Sequence, residues 1–122
     1  MVRLRFLILL LAPSMALAEN WSGFLVDSRC YASEERNVNA ADTQPHVDSD
    51  MNWQVRFCAA GTKTRDYAVV PEDWQSLKFD PAGNARAYEL VRQLARKHLL
   101  RVVVSGDRNR KTIQVRSISV AP

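Results

Sequence analysis

The sequence contains two cysteines, Cys30 and Cys58, and these residues have the most definite chemistry in the chain. Their thiols could form a disulfide bond, or could bind a soft metal ion together with His46 and Met51. No paired C-x-x-C or H-x-x-x-H spacing accompanies them. An even cysteine count in an exported chain, as the N-terminal sequence indicates this one to be, favours oxidation. We therefore predict a disulfide between Cys30 and Cys58 and no metal site.

A second group of possible metal ligands comprises Asp48, Asp50 and Asn52, which are spaced like the start of a calcium-binding loop. Such a loop requires a glycine for its sharp turn and a bidentate glutamate at its end. Trp53 and Ala59 occupy those two positions, so the sequence excludes an EF-hand.

Nucleophilic catalysis requires a serine or cysteine beside a positioned base, and the only histidines are His46 and His98. His46 lies in an acidic segment and His98 lies at the end of an expected helix, so neither belongs to a recognisable motif. The neighbouring carboxylates of Glu34 and Glu35 could act as acid and base only in a pocket that desolvates them. We predict that the protein is not an enzyme and has no catalytic residue, cofactor or cofactor-binding residue.

The first eighteen residues have the pattern of a secretory signal peptide. A basic start at Arg3 and Arg5 precedes an apolar run that is too short to span a bilayer. Ala16 and Ala18 are the small residues expected before a cleavage site. Cleavage after Ala18 would leave residues 19–122, a chain of about 104 residues and the size of a single domain. We expect a periplasmic or secreted protein with no transmembrane segment after cleavage.

Charge is distributed unevenly along the expected mature chain. Residues 19–70 contain 8 acidic and 5 basic side chains, whereas residues 71–122 contain 5 acidic and 10 basic ones. This polarity marks either an anionic partner for the second half or attraction between the two halves of one domain. Export argues against nucleic acid as the partner, and charged hairpin tips also prevent edge pairing. The last predicted hairpin carries Arg101, Arg108, Arg110, Lys111 and Arg116.

Apolar periodicity predicts five strands and two helices. Residues 51–58 alternate like a strand, but their apolar positions also fall on one helical face, so periodicity alone does not decide between the two. Asp50 as a cap and Gly61 as a stop favour a short helix over residues 51–59, and the principal helix starts at Asp80-Pro81. The polar and acidic residues 32–50 are expected to form a long loop. The strands are expected at residues 21–27, 67–70, 76–79, 99–106 and 111–120, with a turn at 107–110 between the last two.

The order strand, short helix, strand, strand, helix, strand, strand is that of an OB-like five-stranded barrel. In the last strand the inward positions are odd-numbered up to Val115 and even-numbered from Ile118. The inward face therefore slips by one residue near Arg116-Ser117, which predicts a β-bulge. We predict a mainly β domain with one principal helix. Its predicted core contains Leu77, Phe79, Val91, Leu94, Val102, Val104, Ile113, Val115, Ile118 and Val120.

The pattern Trp21-x-Gly23-x-Leu25-Val26-Asp27-x-x-Cys30 resembles that of small exported bacterial domains of unknown function. The likeness continues through Cys58 and the last two strands, so it covers nearly all of residues 19–122. It implies an exported domain with a helix before the second cysteine. It implies no activity.

The sequence leaves two interpretations of function open. The first is a non-enzymatic OB-like module of the bacterial envelope that binds an unknown envelope or extracellular partner through its surface. Residues 32–50 are the best candidate surface and the basic hairpin at 108–111 is the alternative. The second is a small metal-handling protein or enzyme that uses the acidic segment 32–50. Aromatic residues that could line a carbohydrate platform, or pack in the core, are Trp21, Trp53 and Trp74.

Overall fold

The computed structural model describes residues 18–35, 44–94 and 99–122. The strands are β1 (Glu19–Asp27), β2 (Tyr67–Val70), β3 (Leu77–Phe79), β4 (Leu100–Asn109) and β5 (Thr112–Val120). The helices are α1 (Ser28–Glu35), α2 (Gln44–Phe57) and α3 (Pro81–Leu94). The predicted signal peptide, up to residue 17, and His98 lie outside the described residues. No helix within the described ranges has the length and apolar character needed to cross a membrane.

The strands close into a barrel in the order β1-β2-β3-β5-β4. Neighbouring strands are antiparallel except for β3 and β5, which run parallel over the pairs Lys78–Thr112 and Phe79–Ile113. The predicted five-stranded barrel is therefore confirmed. The order of elements matches the prediction except for an additional helix, α1, between β1 and α2. The helix before the second cysteine is longer than the predicted helix over residues 51–59. It is α2, which has 14 residues, the same number as α3.

Asp80 joins the parallel strand pair to the helix that follows it. Its backbone N–H donates to the carbonyl of Ile113 at 3.0 Å. Its carboxylate oxygen Oδ1 accepts from the N–H groups of Gly83 at 2.9 Å and Val115 at 3.1 Å. The side chain caps α3, as the sequence predicts, and also bonds β5 at the point where β3 has ended.

The ladder between β4 and β5 contains the predicted bulge. Ser105 pairs with Ser117 and Gly106 pairs with Val115, so Arg116 is an extra residue on β5. The extra residue shifts the inward face of β5 by one position, which is the change of parity seen in the sequence.

The turn between β4 and β5 is tighter than predicted. The strands pair as far as Asn109 and Thr112, so the prediction of a turn at 107–110 is wrong. Arg110 and Lys111 form the turn, and Arg110 takes a left-handed conformation with φ 59°. Tight hairpin turns need such positive φ values to match the twist of the strands.

Apolar side chains from all five strands and α3 fill the barrel. Leu94 and Ile118 are partly buried against this core, whereas Val120 is 42% exposed and its prediction as a core residue is wrong. Val120 is the last residue of β5, opposite Val102 at the end of the ladder, and it therefore lies at the rim. The barrel core consists of Leu25, Tyr67, Val69, Leu77, Phe79, Ala87, Val91, Leu100, Val102, Val104, Ile113 and Val115.

A second apolar cluster lies outside the barrel, between the outer faces of β1 and β2 and the helices α1 and α2. Leu25 of β1 packs inside the barrel and its neighbour Val26 packs in this outer cluster. All residues of β2, Tyr67–Val70, are buried, since both faces of the strand are covered. The outer cluster consists of Val26, Tyr31, Met51, Val55, Cys58, Ala68 and Val70.

The prediction of a loop over residues 32–50 is wrong at both ends. Residues 32–35 belong to α1 and residues 44–50 belong to α2, which begins before its predicted cap at Asp50. Residues 36–43 lie outside the described part of the chain. The polar composition concealed the helix because only a narrow apolar stripe of it packs against the outer cluster. The stripe consists of Val47, Met51 and Val55, and Cys58 continues it directly after the helix.

Tyr67 carries a hydroxyl group that is buried in the barrel and has no hydrogen-bond partner among the described residues. The residue is 1% exposed. Burial raises the pKa of the Tyr67 phenol to about 12, and negative charge on the neighbouring Tyr88 and Asp27 groups adds to the rise. An unpaired buried hydroxyl is a cost to stability, and native proteins contain few of them.

The substitution Tyr67→Phe removes this hydroxyl and keeps the ring. We expect the free energy of unfolding at pH 7 to stay the same or rise, because an unpaired polar group is lost. Between pH 10 and about 12 the folded wild type holds the Tyr67 proton more tightly than the unfolded chain does. Stability of the wild type therefore falls as pH rises through this window, and Tyr67→Phe lacks that part of the fall. Urea unfolding of wild type and Tyr67→Phe at pH 7 and at several values above pH 9 measures both effects. A marked loss of stability at pH 7 would show instead that the hydroxyl makes a stabilising bond.

Candidate functional site

Cys30 and Cys58 form the predicted disulfide bond, which joins the first turn of α1 to the residue after α2. Their Cα atoms are 5.5 Å apart. Both thiols are therefore used and do not act as metal ligands while the bond is intact. Met51 packs in the outer cluster, and the side chain of His46 is outside the described part of the structure. Within the described ranges, no three His, Cys, Asp or Glu side chains are grouped to hold a metal ion.

The tryptophans occupy three different environments. Trp21 packs against the barrel core. Trp53 lies on α2, where it is 59% exposed and stacks on Phe57 with the ring centroids 5.2 Å apart. Trp74 lies in the loop between β2 and β3 and packs against the outer cluster. Of the three, Trp74 has the most unusual geometry.

The backbone of Trp74 is left-handed, with φ 63°. Its N–H donates to the carbonyl of Pro71 at 3.1 Å, and the next N–H, that of Gln75, donates to the carboxylate of Asp73 at 3.0 Å. A positive φ is unfavourable for a bulky residue and persists only where surrounding contacts enforce it. The loop therefore holds Trp74 in a backbone conformation that is unfavourable for a bulky side chain.

Two side-chain hydrogen bonds hold Trp74 from the outer helices. Its indole Nε1–H donates to the Oδ1 atom of Asp48 on α2 at 2.7 Å. The hydroxyl of Tyr31 on α1 donates to the carbonyl of Trp74 at 2.8 Å. Each helix thus contributes one bond to the same residue, and the disulfide bond links the two helices.

A cleft of about 320 Å³ opens beside Trp74, a volume near the lower end for small-molecule sites. It lies between α2, the β2–β3 loop and the outer surfaces of β1 and β4. Its lining residues are Ser22, Gly23, Phe24, Asp48, Asn52, Val70, Pro71, Glu72, Trp74 and Arg101.

Gly23 permits the close packing on one side of the cleft. A Cβ atom at this position would overlap the backbone carbonyl of Val70 and crowd Pro71. The absence of a side chain at Gly23 therefore permits the backbone of β1 to approach the end of β2 closely.

The cleft combines an aromatic surface with groups that donate and accept hydrogen bonds. The guanidinium of Arg101 lies 5.0 Å from the ring centroid of Phe24, and the two residues are partners in the β1–β4 register. The carboxylates of Asp48 and Glu72 and the amide of Asn52 also line the cleft. Such a mixture of ring faces, charges and an amide suits recognition of a polar ligand or an extended segment of a partner.

Sequence reasoning missed this arrangement. The sequence marks Asp48 as a possible calcium ligand and Trp74 as a possible platform residue, but nothing in their spacing indicates that they meet. They are 26 positions apart and belong to a helix and a loop. The one available signal is the segment Pro71-Glu72-Asp73, whose composition is typical of a turn and which directly precedes Trp74.

Comparisons with protein-family models, with curated proteins and with solved structures find no match to this chain.

Loss of the Asp48 carboxylate should release the Trp74 indole. In Asp48→Ala we expect faster solvent exchange of the Trp74 Nε1 proton and a free energy of unfolding lower by about 1.5 to 3 kcal/mol, the range for a hydrogen bond to a charged acceptor. The three indole signals in a nitrogen–proton NMR spectrum are assigned with single Trp→Phe variants. Ser49→Ala, an exposed neighbour, is the control and should leave the exchange rate unchanged. Equal exchange rates in wild type and Asp48→Ala would contradict the role given to Asp48.

Proposed function

We propose that the protein is an exported, non-enzymatic module of OB type that binds an envelope or extracellular partner in the cleft beside Trp74. The observation that carries the proposal is the left-handed backbone of Trp74, held by bonds from Tyr31 and Asp48. Backbone strain that several contacts enforce is concentrated at binding and switching sites.

The position of the cleft supports a binding role. Strand order β1-β2-β3-β5-β4 suits an OB barrel, and OB domains commonly bind ligands on the face of the second and third strands and on adjoining loops. Here Ala68 and Val70, on the outer face of β2, are buried under the outer helices. The cleft lies at the edge of this cover, where the loop after β2 meets α2.

The disulfide bond of the chain supports export. Disulfide bonds persist in oxidising compartments such as the periplasm and the extracellular space. The bond between Cys30 and Cys58 agrees with the signal peptide predicted from the first eighteen residues. A periplasmic or secreted protein also has an envelope component as its most accessible partner.

Binding is favoured over catalysis by what the polar groups of the cleft do. Asp48 accepts the indole N–H of Trp74, and Arg101 lies against the ring of Phe24. These contacts orient aromatic surfaces. Ser22 lines the cleft, but the described lining residues include no histidine that would activate its hydroxyl. Asp48, which belongs to the acidic segment 32–50, therefore serves to position the Trp74 ring.

The cleft is tested by capture from detergent-solubilised bacterial envelope, with bound components identified by mass spectrometry. We expect Asn52→Ala/Arg101→Ala to bind about tenfold or more weakly to a component that the wild type retains, because both side chains line the cleft and are exposed. The matched control is Ser49→Ala/Arg86→Ala, with exposed sites on α2 and α3 outside the cleft lining. Thermal unfolding verifies that both double variants remain folded. Equal retention by the two variants would place the binding surface elsewhere.

A further inference from the structure

A second cleft, of about 730 Å³, lies between α3 and the loop that connects α2 to β2. Residues 62–65 form its loop side, and Asn84, Ala85, Tyr88 and Glu89 form its helix side. Its volume is within the range of small-molecule sites, and it shares no lining residue with the cleft beside Trp74. We call it the α3 cleft.

Two hydrogen bonds close the turn on the loop side of the α3 cleft. The N–H of Gly61 donates to the hydroxyl oxygen of Thr64 at 3.0 Å, and the N–H of Thr64 donates to the carbonyl of Gly61 at 3.1 Å. Thr64 is buried, so this pair of bonds is protected from water. The turn therefore fixes the backbone of Lys63, which lies within it, and of Arg65, which follows it directly.

Asn84 attaches the helix side to the start of β2. Its Oδ1 atom accepts from the N–H of Tyr67 at 2.8 Å, and its Nδ2 atom donates to the Oδ1 atom of Asp66 at 3.5 Å. Tyr88 follows one turn later on α3 and is 41% exposed. Both sides of the cleft are thus held in place by the fold, which lowers the entropic cost of binding a ligand between them.

The acidic groups at the α3 cleft are paired with cations that do not line it. Glu89, which lines the cleft, forms an ion pair of 2.8 Å with Arg92. Asp66, which is bonded to Asn84, forms an ion pair of 3.0 Å with Arg29. The carboxylates on both sides of the cleft therefore have partners already.

Lys63 and Arg65 supply positive charge to the α3 cleft. Both side chains are exposed, and neither forms an ion pair in the part of the chain that the structure describes. A guanidinium presents a planar fork of donors that matches a carboxylate, and an ammonium adds a compact charge beside it. The loop side is therefore suited to bind the carboxylate of a ligand.

The rest of the lining determines what kind of molecule would carry that carboxylate. Thr62 and Tyr88 present hydroxyl groups that both donate and accept hydrogen bonds. Only Tyr88 and Ala85 present predominantly apolar side chains, so a flat aromatic ligand would bury little apolar surface here. A hydroxylated ring can pack one face on Tyr88 and exchange hydrogen bonds with the polar groups around it.

We propose that the α3 cleft binds an acidic sugar, with its carboxylate at Lys63 and Arg65 and its ring against Tyr88. OB-type domains bind oligosaccharides as well as oligonucleotides, so the fold is suited to such a ligand. This site goes beyond the partner binding proposed for the cleft beside Trp74. The two clefts have separate linings, so failure of either leaves the argument for the other unchanged.

Titration of the full chain with digalacturonic acid, followed by nitrogen–proton NMR, tests the α3 cleft. We expect the backbone signals on both sides of the cleft to shift, with an affinity that falls as salt is added. Lys63→Gln/Arg65→Gln should bind about tenfold or more weakly, because charge-assisted bonds to the carboxylate are lost. Lys78→Gln/Arg86→Gln, the matched control, removes the same charge from exposed sites outside the cleft and should keep the wild-type affinity. The same spectra verify that each variant is folded.

Three further ligands separate the contributions of charge and ring. The methyl ester of the disaccharide has the rings without the charge, acetate has the charge without the ring, and benzoate has the charge on an aromatic ring. We expect all three to bind more weakly than digalacturonic acid. Tyr88→Ala should weaken binding of the disaccharide and leave that of acetate unchanged.

Four results would overturn the proposal. They are the absence of binding to digalacturonic acid, equal losses of affinity in the two double variants, binding of the ester or of acetate as tight as that of the acid, and tighter binding of benzoate. The second result would indicate an effect of net charge alone, and the last would identify a site for aromatic acids in place of acidic sugars.

Discussion

The disulfide bond between Cys30 and Cys58 is the constraint on which the outer layer of the protein depends. It closes a separation of 28 residues, for which the chain-entropy model gives roughly 3 to 4 kcal/mol. The helices it joins have 8 and 14 residues, so neither would be stable alone in water. Asp27 reinforces the junction, since its N–H donates to the carbonyl of Cys58 and its carboxylate accepts from the N–H groups of Arg29 and Cys30.

The outer layer changes what a small barrel can do with its surface. Because α1 and α2 bury Val26, Ala68 and Val70, the outer faces of β1 and β2 become a second core and not a ligand-binding sheet. The same helices hold Trp74 through Tyr31 and Asp48, so the geometry of the cleft depends on their packing.

The sequence predicts the barrel well because its strands have strong local patterns. The parity change near Arg116 identified the bulge, and Asp80-Pro81 identified the start of α3, since each signal lies within a few residues of the feature it specifies. The extent of α2 was missed because its apolar stripe is narrow and the polar residues around it resemble a loop. The cleft was missed because it depends on contacts between distant residues, above all that of Trp74 with Asp48, which no local pattern encodes.

Hydrogen exchange of Cys30→Ala/Cys58→Ala tests most directly whether the disulfide bond maintains the outer layer on an independent barrel. Free-thiol titration of the unfolded, unreduced wild type first verifies that both cysteines are oxidised. We expect the variant to lose amide protection in α1 and α2 and at the Trp74 indole, while the β4–β5 ladder keeps its protection, because the barrel core is separate from the outer cluster. Uniform loss of protection through all strands, or unchanged protection in α1 and α2, would contradict this account.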